Sequence, residues 1–296
     1  MALEKKRLSI NSEGPFFVDS SCIYCGSCWQ IDPKHFASNK NTAYVYDQPN
    51  GKKEIEKAFL ALIDCPVSAI KAPKKFTSDY LSNLFPIPVT THPAGDVYYC
   101  GWSSRHSFGA SSWLITNPEG NVLIDSPRWS SLLAKQIINL GGVSKMILTH
   151  RDDVADHAKW AKALSCERWI HKDDLDAAPE VEKQITGIDE ISIRESLRLI
   201  PTPGHSKGSI VAVLGNQNCI IFSGDHLWWN IEREMLVASK EYCWWNWVEQ
   251  LNSVKKLKEL DIKWLLPGHG HAKKFNQGEW KIEIEKILNN YKKERF

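Results

Sequence analysis

The 296-residue sequence predicts an α+β protein of two unequal units, a small cysteine-bearing one ahead of a larger layered one. Three observations predict it. Cys22, Cys25, Cys28 and Cys65 crowd into the first quarter, whereas Cys100, Cys166, Cys219 and Cys243 are scattered singly. Pro73, Pro86, Pro88 and Pro93, with Ser, Thr and Gly among them, mark a linker over 76–93 that leaves room for one short helix. From Asp96 onward, short β-rich runs separated by turn signals alternate with helical spacing, the pattern of stacked sheets and helices. The units are therefore 1–75 and 94–296.

In the second unit, Asp96–Trp102, Ser111–Asn117 and Asn121–Asp125 are strand-like, with the turn Asn117-Pro118-Glu119-Gly120 between the last two. Ser131–Leu140 has helical spacing and ends in Gly141-Gly142, a helix stop. Lys145–His150 reads as a strand, His157–Leu164 as a helix and Arg168–His171 as a strand. Ser196–Thr202, Ser209–Gly215, Cys219–Asp225 and Lys263–His269 complete the strands, with a helix over Trp245–Leu260 before the last. Such an order fits two sheets, or one sheet between helices.

Composition excludes several classes. There are 37 Lys plus Arg against 35 Asp plus Glu, so the formal net charge is 37 − 35 = +2 and no basic stripe marks a nucleic-acid partner. A 43% hydrophobic content argues for a folded globule. No window approaches the ~18 apolar residues of a membrane span, and no apolar stretch follows the lysines of MALEKKRLSINSEG, so a cytoplasmic protein without membrane contact is expected. GxxxxGK[ST] and GxGxxG are both missing, which leaves phosphate cradles and nicotinamide binding unsupported.

Cys22-x-x-Cys25-x-x-Cys28 with a distant Cys65-Pro66 offers three thiolates that can wrap one face of a cluster and a fourth that closes it. Zinc more often takes paired CxxC or Cys/His ligands, so a zinc knuckle is the alternative. Gly26 lets the loop backbone approach inorganic sulfide, and Pro66 turns the chain away after the last ligand. CIYCGSCWQIDPKHF…CPVSAI resembles a bacterial-type single-cluster ferredoxin over about residues 14–75. The resemblance implies a βαβ-based domain with one [4Fe–4S] cluster on Cys22, Cys25, Cys28 and Cys65, carrying single electrons received from an electron-donor protein.

Five motifs at strand ends carry Asp or His: Asp125 in VLIDSP, THRDDVADH at 149–157, His205 in TPGHSKGS, Asp225 in FSGDH and His269 in LPGHG. Loops at one sheet edge are where ligands converge. In this order they resemble the metallo-β-lactamase superfamily over about residues 90–280, which implies an αββα sandwich with a one- or two-metal site. On that match Asp125 supports the loop, His150 and His205 bind one metal, Asp156, His157 and His269 bind the second, and Asp225 bridges both. The family's HxHxDH is altered here. Aligned from the left, Asp152 takes the second His position; aligned from the right, Asp152 and Val154 take the two His positions. A carboxylate from Asp152 or Asp153 then replaces an imidazole, which suits iron or manganese better than zinc; a weakened or empty first site is the alternative.

The first functional expectation is hydrolysis of a small ester, thioester, lactone or phosphodiester by metal-bound hydroxide, with Asp156 orienting it and Asp225 holding the metals. The alternative is a di-iron redox enzyme reducing O2 or NO, resembling flavodiiron proteins but fed directly by the ferredoxin unit. A redox sensor or assembly factor is the further alternative. Trp228, Trp229, Trp244, Trp245 and Trp247 are expected chiefly in packing, and His226 as a partner fixing Asp225. His171 is a candidate for the pocket wall, Lys207 and Arg151 are weak candidates for an anionic substrate, and His35, His92, His106 and His271 are read as ordinary.

Overall fold

The computed structural model describes residues 4–73 and 84–294. The short helix expected within 76–93 falls largely on 74–83, outside the described residues.

The small unit runs β1 (Phe17–Val18), α1 (Ser27–Ile31), β2 (Phe36–Asn39), β3 (Thr42–Val45), α2 (Lys52–Asp64) and β4 (Ile70–Lys71). β1 pairs antiparallel with β4, and β2 with β3. Phe16, Phe36, Val45, Phe59 and Ile70 pack into its core against Cys28 and Cys65. The cysteine loop therefore sits on a packed floor rather than on open coil.

The large unit contains β5 (Ile87–Thr90), β6 (Asp96–Tyr99), β7 (Trp113–Thr116), β8 (Val122–Ile124), α3 (Ser131–Asn139), β9 (Lys145–Ile147), α4 (His157–Leu164), β10 (Glu167–His171) and β11 (Lys183–Ile185). These strands form one seven-stranded sheet in the order β11-β10-β9-β8-β7-β6-β5. The chain continues through β12 (Ile191–Arg194), β13 (Leu197–Pro201), β14 (Ile210–Leu214), β15 (Cys219–Gly224), β16 (Trp228–Asn230), β17 (Met235–Val237), α5 (Trp247–Lys256), β18 (Ile262–Pro267), β19 (Lys273–Lys274) and α6 (Glu279–Glu294). The second sheet has six strands, β12-β13-β14-β15-β18-β19.

The two sheets bury one core between them, with Ile115, Ile124, Ile147, Ala212, Phe222 and Leu266 from both faces. α3 and α4 cover the first sheet through Leu133, Ile137 and Trp160. α5 and α6 cover the second through Leu251, Val254, Trp280 and Ile284. This is the expected αββα order. It explains why β14 (IVAVL) and β15 (CIIFSG) are buried along their whole length instead of alternating: each face meets a layer. Each Leu or Ile so buried contributes about 1.5–3 kcal/mol. Ser130 caps α3 by accepting from Leu133 N at 3.3 Å, and Asn246 caps α5 by accepting from Val248 N at 3.0 Å.

Two differences from the sequence expectation concern the ends of the large unit. Ile87–Thr90, inside the expected linker, is the edge strand of the first sheet, because its pairing with β6 outweighs the proline signal at Pro88. The C-terminal helix, α6, was not expected; its weak apolar stripe is legible only against the second sheet. Among the described residues no helix is long and apolar enough to cross a membrane.

Candidate metal centre

Asp125 follows β8, and Thr149-His150 follow β9 after Leu148. These two strands run parallel, so both ends open on the same edge. His205 lies in the turn between β13 and β14; Asp225 follows β15 and His269 follows β18, another parallel pair. Ile210 N donates to Thr149 O at 2.8 Å and ties the two sheets together at that edge. Gly224 (φ +48°) is required there: a Cβ would stand 2.4 Å from Thr149 Oγ1.

Asp225 Oδ2 is the hub. It lies 3.6 Å from His150 Nε2, 3.9 Å from His205 Nε2 and 3.6 Å from His269 Nε2. Ligands about 2.0–2.2 Å from a common ion stand at such separations from one another. Asp152 Oδ2 joins on one side, 3.3 Å from His205 Nε2 and 3.8 Å from His150 Nε2. Asp153 joins on the other, its carboxylate grouped with Asp225 and His269. Two donor sets thus share Asp225, namely His150, His205 and Asp225, and Asp153, Asp225 and His269.

These donors fit a cation. His150 Nε2, Asp225 Oδ1 and both oxygens of Asp153 are buried without a hydrogen-bond partner among the described residues. Unpartnered buried carboxylate is costly unless a positive charge faces it. Burial and the Asp225 charge push the Asp153 carboxyl well above the usual range. Burial opposes the charge of His150, yet Asp153 and Asp225 hold its imidazolium well above the usual range. Burial likewise opposes the charge of Asp225, but His269 and His150 hold its carboxyl below. Behind His150, Asp125 accepts from Thr149 N at 2.7 Å and from Thr149 Oγ1 at 3.0 Å, and Thr149 Oγ1 is 3.0 Å from His150 Nδ1. This relay leaves Nε2 to face Asp225. Asp125 adopts φ +58° to reach it, and burial pushes its carboxyl up to about 7.

The structure does not bring Asp156 and His157 to the cluster, which corrects their expected ligand roles. Asp156 accepts from Trp129 N at 2.8 Å and from Lys159 Nζ at 2.7 Å, and His157 Nδ1 faces Arg168 Nη1 at 3.3 Å. The loop turns so soon after His150 that Asp153 already stands beside His269, while Val154 dives into the apolar layer and Asp156 opens α4. Asp156 is therefore no candidate to orient a nucleophile either. His226 does not fix Asp225: both of its ring nitrogens lack partners among the described residues, and burial depresses its pKa to about 3. Lys207 and Arg151 turn outward to Asp173 and Asp176, and His171 bonds Gly187 O at 3.0 Å.

The centre opens into a cavity of about 620 Å³. Trp228, Tyr242, Trp244 and Phe108 wall it, so these two tryptophans face the cavity, whereas Trp247 packs with α5 and α6. Tyr24, Cys25 and His106 also line it, and no sequence signal singled out Tyr24, Phe108 or Tyr242, because they converge from three separate segments.

In the small unit Cys22, Cys25, Cys28 and Cys65 line one compact cradle. Ala43 N points at Cys22 Sγ (3.4 Å) and Ala69 N at Cys65 Sγ (3.2 Å), bonds that stabilise thiolate sulfur. Burial pushes the Cys25 thiol up to about 11, and raises Cys28 and Cys65 as well, so bound iron is what would hold them ionised.

A two-sheet domain with a cluster of metal-type donors, in one chain with a four-cysteine cradle of iron–sulfur type, is the class these features define. The family model of the metallo-beta-lactamase superfamily matches residues 107–269, and that of the 4Fe-4S single cluster domain of Ferredoxin I matches residues 18–72. The chain belongs to the metallo-β-lactamase superfamily and carries a single-cluster ferredoxin domain in the same polypeptide. Among solved structures it is similar in fold to VMB-1, at 17% identity and a TM-score of 0.53, covering 70% of this chain and 98% of that one. It is also similar to DIM-1 metallo-β-lactamase, at 14% identity and a TM-score of 0.50, covering 68% and 97%. One [4Fe–4S] cluster and one or two divalent metals follow as cofactors.

Proposed function

We propose that the protein is a metal-dependent hydrolase of a small organic ester, thioester or lactone. The observation that carries this reading is the position of the Asp225-centred donors in an aromatic-walled cavity of about 620 Å³, room for a multi-atom substrate. His150, Asp152 and His205 on one side, Asp153 and His269 on the other, and Asp225 shared by both sets would hold divalent metal, which when bound would supply Lewis acidity and a water of lowered pKa. The chain's own part is orientation and exclusion. Asp125 and Thr149 aim His150, Gly268 keeps the backbone close to Asp225 and Asp153, and Trp228, Tyr242 and Trp244 bind the apolar part of a substrate and keep bulk water off it. Among the described residues no Lys or Arg lines the cavity, which disfavours a phosphodiester anchored by fixed cations.

A second reading, reduction of a small acceptor such as O2 or NO, is supported by a different observation: Cys25, a cluster ligand, lines the same cavity. The harder donor set with Asp152 in place of an imidazole suits iron. Metal analysis of anaerobically purified protein, beside Cys25→Ser, separates the two. Zinc in addition to the ~4 cluster irons, with thioester or lactone turnover abolished in Asp225→Asn, is the result expected for hydrolysis. Iron beyond those ~4, with reductant-dependent O2 or NO consumption and no hydrolysis, overturns it in favour of the second reading.

A further inference from the structure

Cys25 is the one cysteine that lines both the cluster cradle and the metal-centre cavity. The loop between β6 and β7 lies directly over it. Gly109 (φ +91°) is so close that a Cβ there would stand 2.7 Å from Cys25 Cβ, 3.0 Å from Cys25 Sγ and 3.4 Å from Pro66 Cγ. Two residues on, Ser111 N donates to Gly268 O at 2.7 Å. Gly268 precedes the donor His269 and itself packs against Asp225 and Asp153, its missing Cβ falling 2.7 Å and 2.8 Å from their carboxylate oxygens. The Phe108 and His269 rings are 6.5 Å apart. The loop's other end is held from the cluster side: Asp64, next to the ligand Cys65, is fully buried and accepts from Ser103 N at 3.1 Å, Ser103 Oγ at 3.0 Å and Tyr99 Oη at 2.8 Å.

We propose that Gly109-Ala110-Ser111 is a protein bridge coupling the cluster electronically to the metal centre, from Cys25 Sγ across the Gly109 contact and the Ser111–Gly268 hydrogen bond to His269. The inference rests on the second, redox reading of the site. One electron leaves the reduced cluster and is accepted by ferric iron at the centre, which becomes ferrous; no covalent bond is made or broken and no proton has to move. The cluster is recharged by an external low-potential one-electron donor, dithionite in the test. Glycine at 109 sets the closeness of the first contact, since any side chain there would push the loop off Cys25.

The test uses the full chain with its cluster intact and the centre loaded with either paramagnetic cobalt(II) or diamagnetic zinc, reduced with dithionite and observed by electron paramagnetic resonance of the cluster. Cobalt is expected to broaden the cluster signal and speed its relaxation relative to zinc. In Gly109→Ala, verified to hold cluster and metal in unchanged amounts, the broadening is expected to shrink. In the iron-loaded chain, electron passage out of the cluster after a sub-stoichiometric dithionite pulse is expected to slow severalfold in the same variant. Identical cluster spectra with cobalt and zinc in the unsubstituted chain would overturn the proposal without any variant. So would unchanged electron passage in a correctly loaded Gly109→Ala. Reductant-driven O2 and NO consumption is measured alongside: if it persists while coupling is missing, the bridge fails and the redox reading stands; if it is missing while coupling is present, the bridge stands and that reading fails.

Discussion

At the scale of single residues, Asp153 and Asp156 show how far three positions matter. Both are aspartates of one short loop, but only Asp153 is buried with both oxygens unpartnered beside Asp225 and His269, whereas Asp156 is satisfied by Trp129 and Lys159. Asp153→Asn and Asp225→Asn are accordingly expected to lower bound metal on stoichiometric analysis, while Asp156→Asn and His157→Gln leave it unchanged; metal loss in the latter pair would restore the sequence-based ligand assignment. Thr149 touches no metal in this scheme and acts by aiming His150. Thr149→Val removes both of its hydroxyl contacts and is expected to weaken metal binding by about 10–100-fold in a competition titration, the usual effect of losing a partner that orients a ligand. The His-rich and Asp-rich motifs were legible because each follows an apolar strand. The choice among the acids at 152, 153 and 156 was not, since it depends on how tightly the loop turns.

At the scale of elements, the two units meet where the end of α2 enters the loop after β6. Arg128 Nη2 donates to Ile63 O at 2.9 Å, and Asp64 ties Ser103 and Tyr99. Ile63 packs with Phe85 and the outer layer of the first sheet. Asp64→Ala strands those donors in a buried place and is expected to destabilise the chain by about 1–3 kcal/mol, read as a lower apparent unfolding temperature together with faster oxidative bleaching of cluster absorbance. An unfolding shift without any change in cluster lifetime would show that the contact holds the units together but does not shield the cluster. This junction has no signature in the sequence. Asp64 reads as the polar end of an amphipathic helix, and only the approach of Ser103 turns it inward.

For the whole molecule, the metal centre is a concentration of buried like charge that a cation resolves. Chelation of the centre is therefore expected to lower thermal stability, and re-addition of metal to restore it by mass action. The gain on metal binding should grow as pH rises from the carboxylate range toward neutrality. Asp153 is raised by burial and Asp225, and His150 is held protonated by Asp153 and Asp225 against the pull of its own burial, so without metal each keeps a proton that the ion must displace. A metal-induced shift in unfolding temperature that stays flat across that range would mean that these side chains do not bind the ion. The sequence by itself determined what depends on local chemistry and period: the ferredoxin-type cysteine motif, the αββα layering of the metallo-β-lactamase-type region, and strands that end in His or Asp. Only the tertiary structure decided that Asp153 rather than Asp156 joins that cluster, that Ile87–Thr90 closes a sheet, and that Cys25 shares a cavity with His269. Each of these is a meeting of segments far apart in the chain, and such meetings are selected by the packing of whole layers rather than by any neighbour along the sequence.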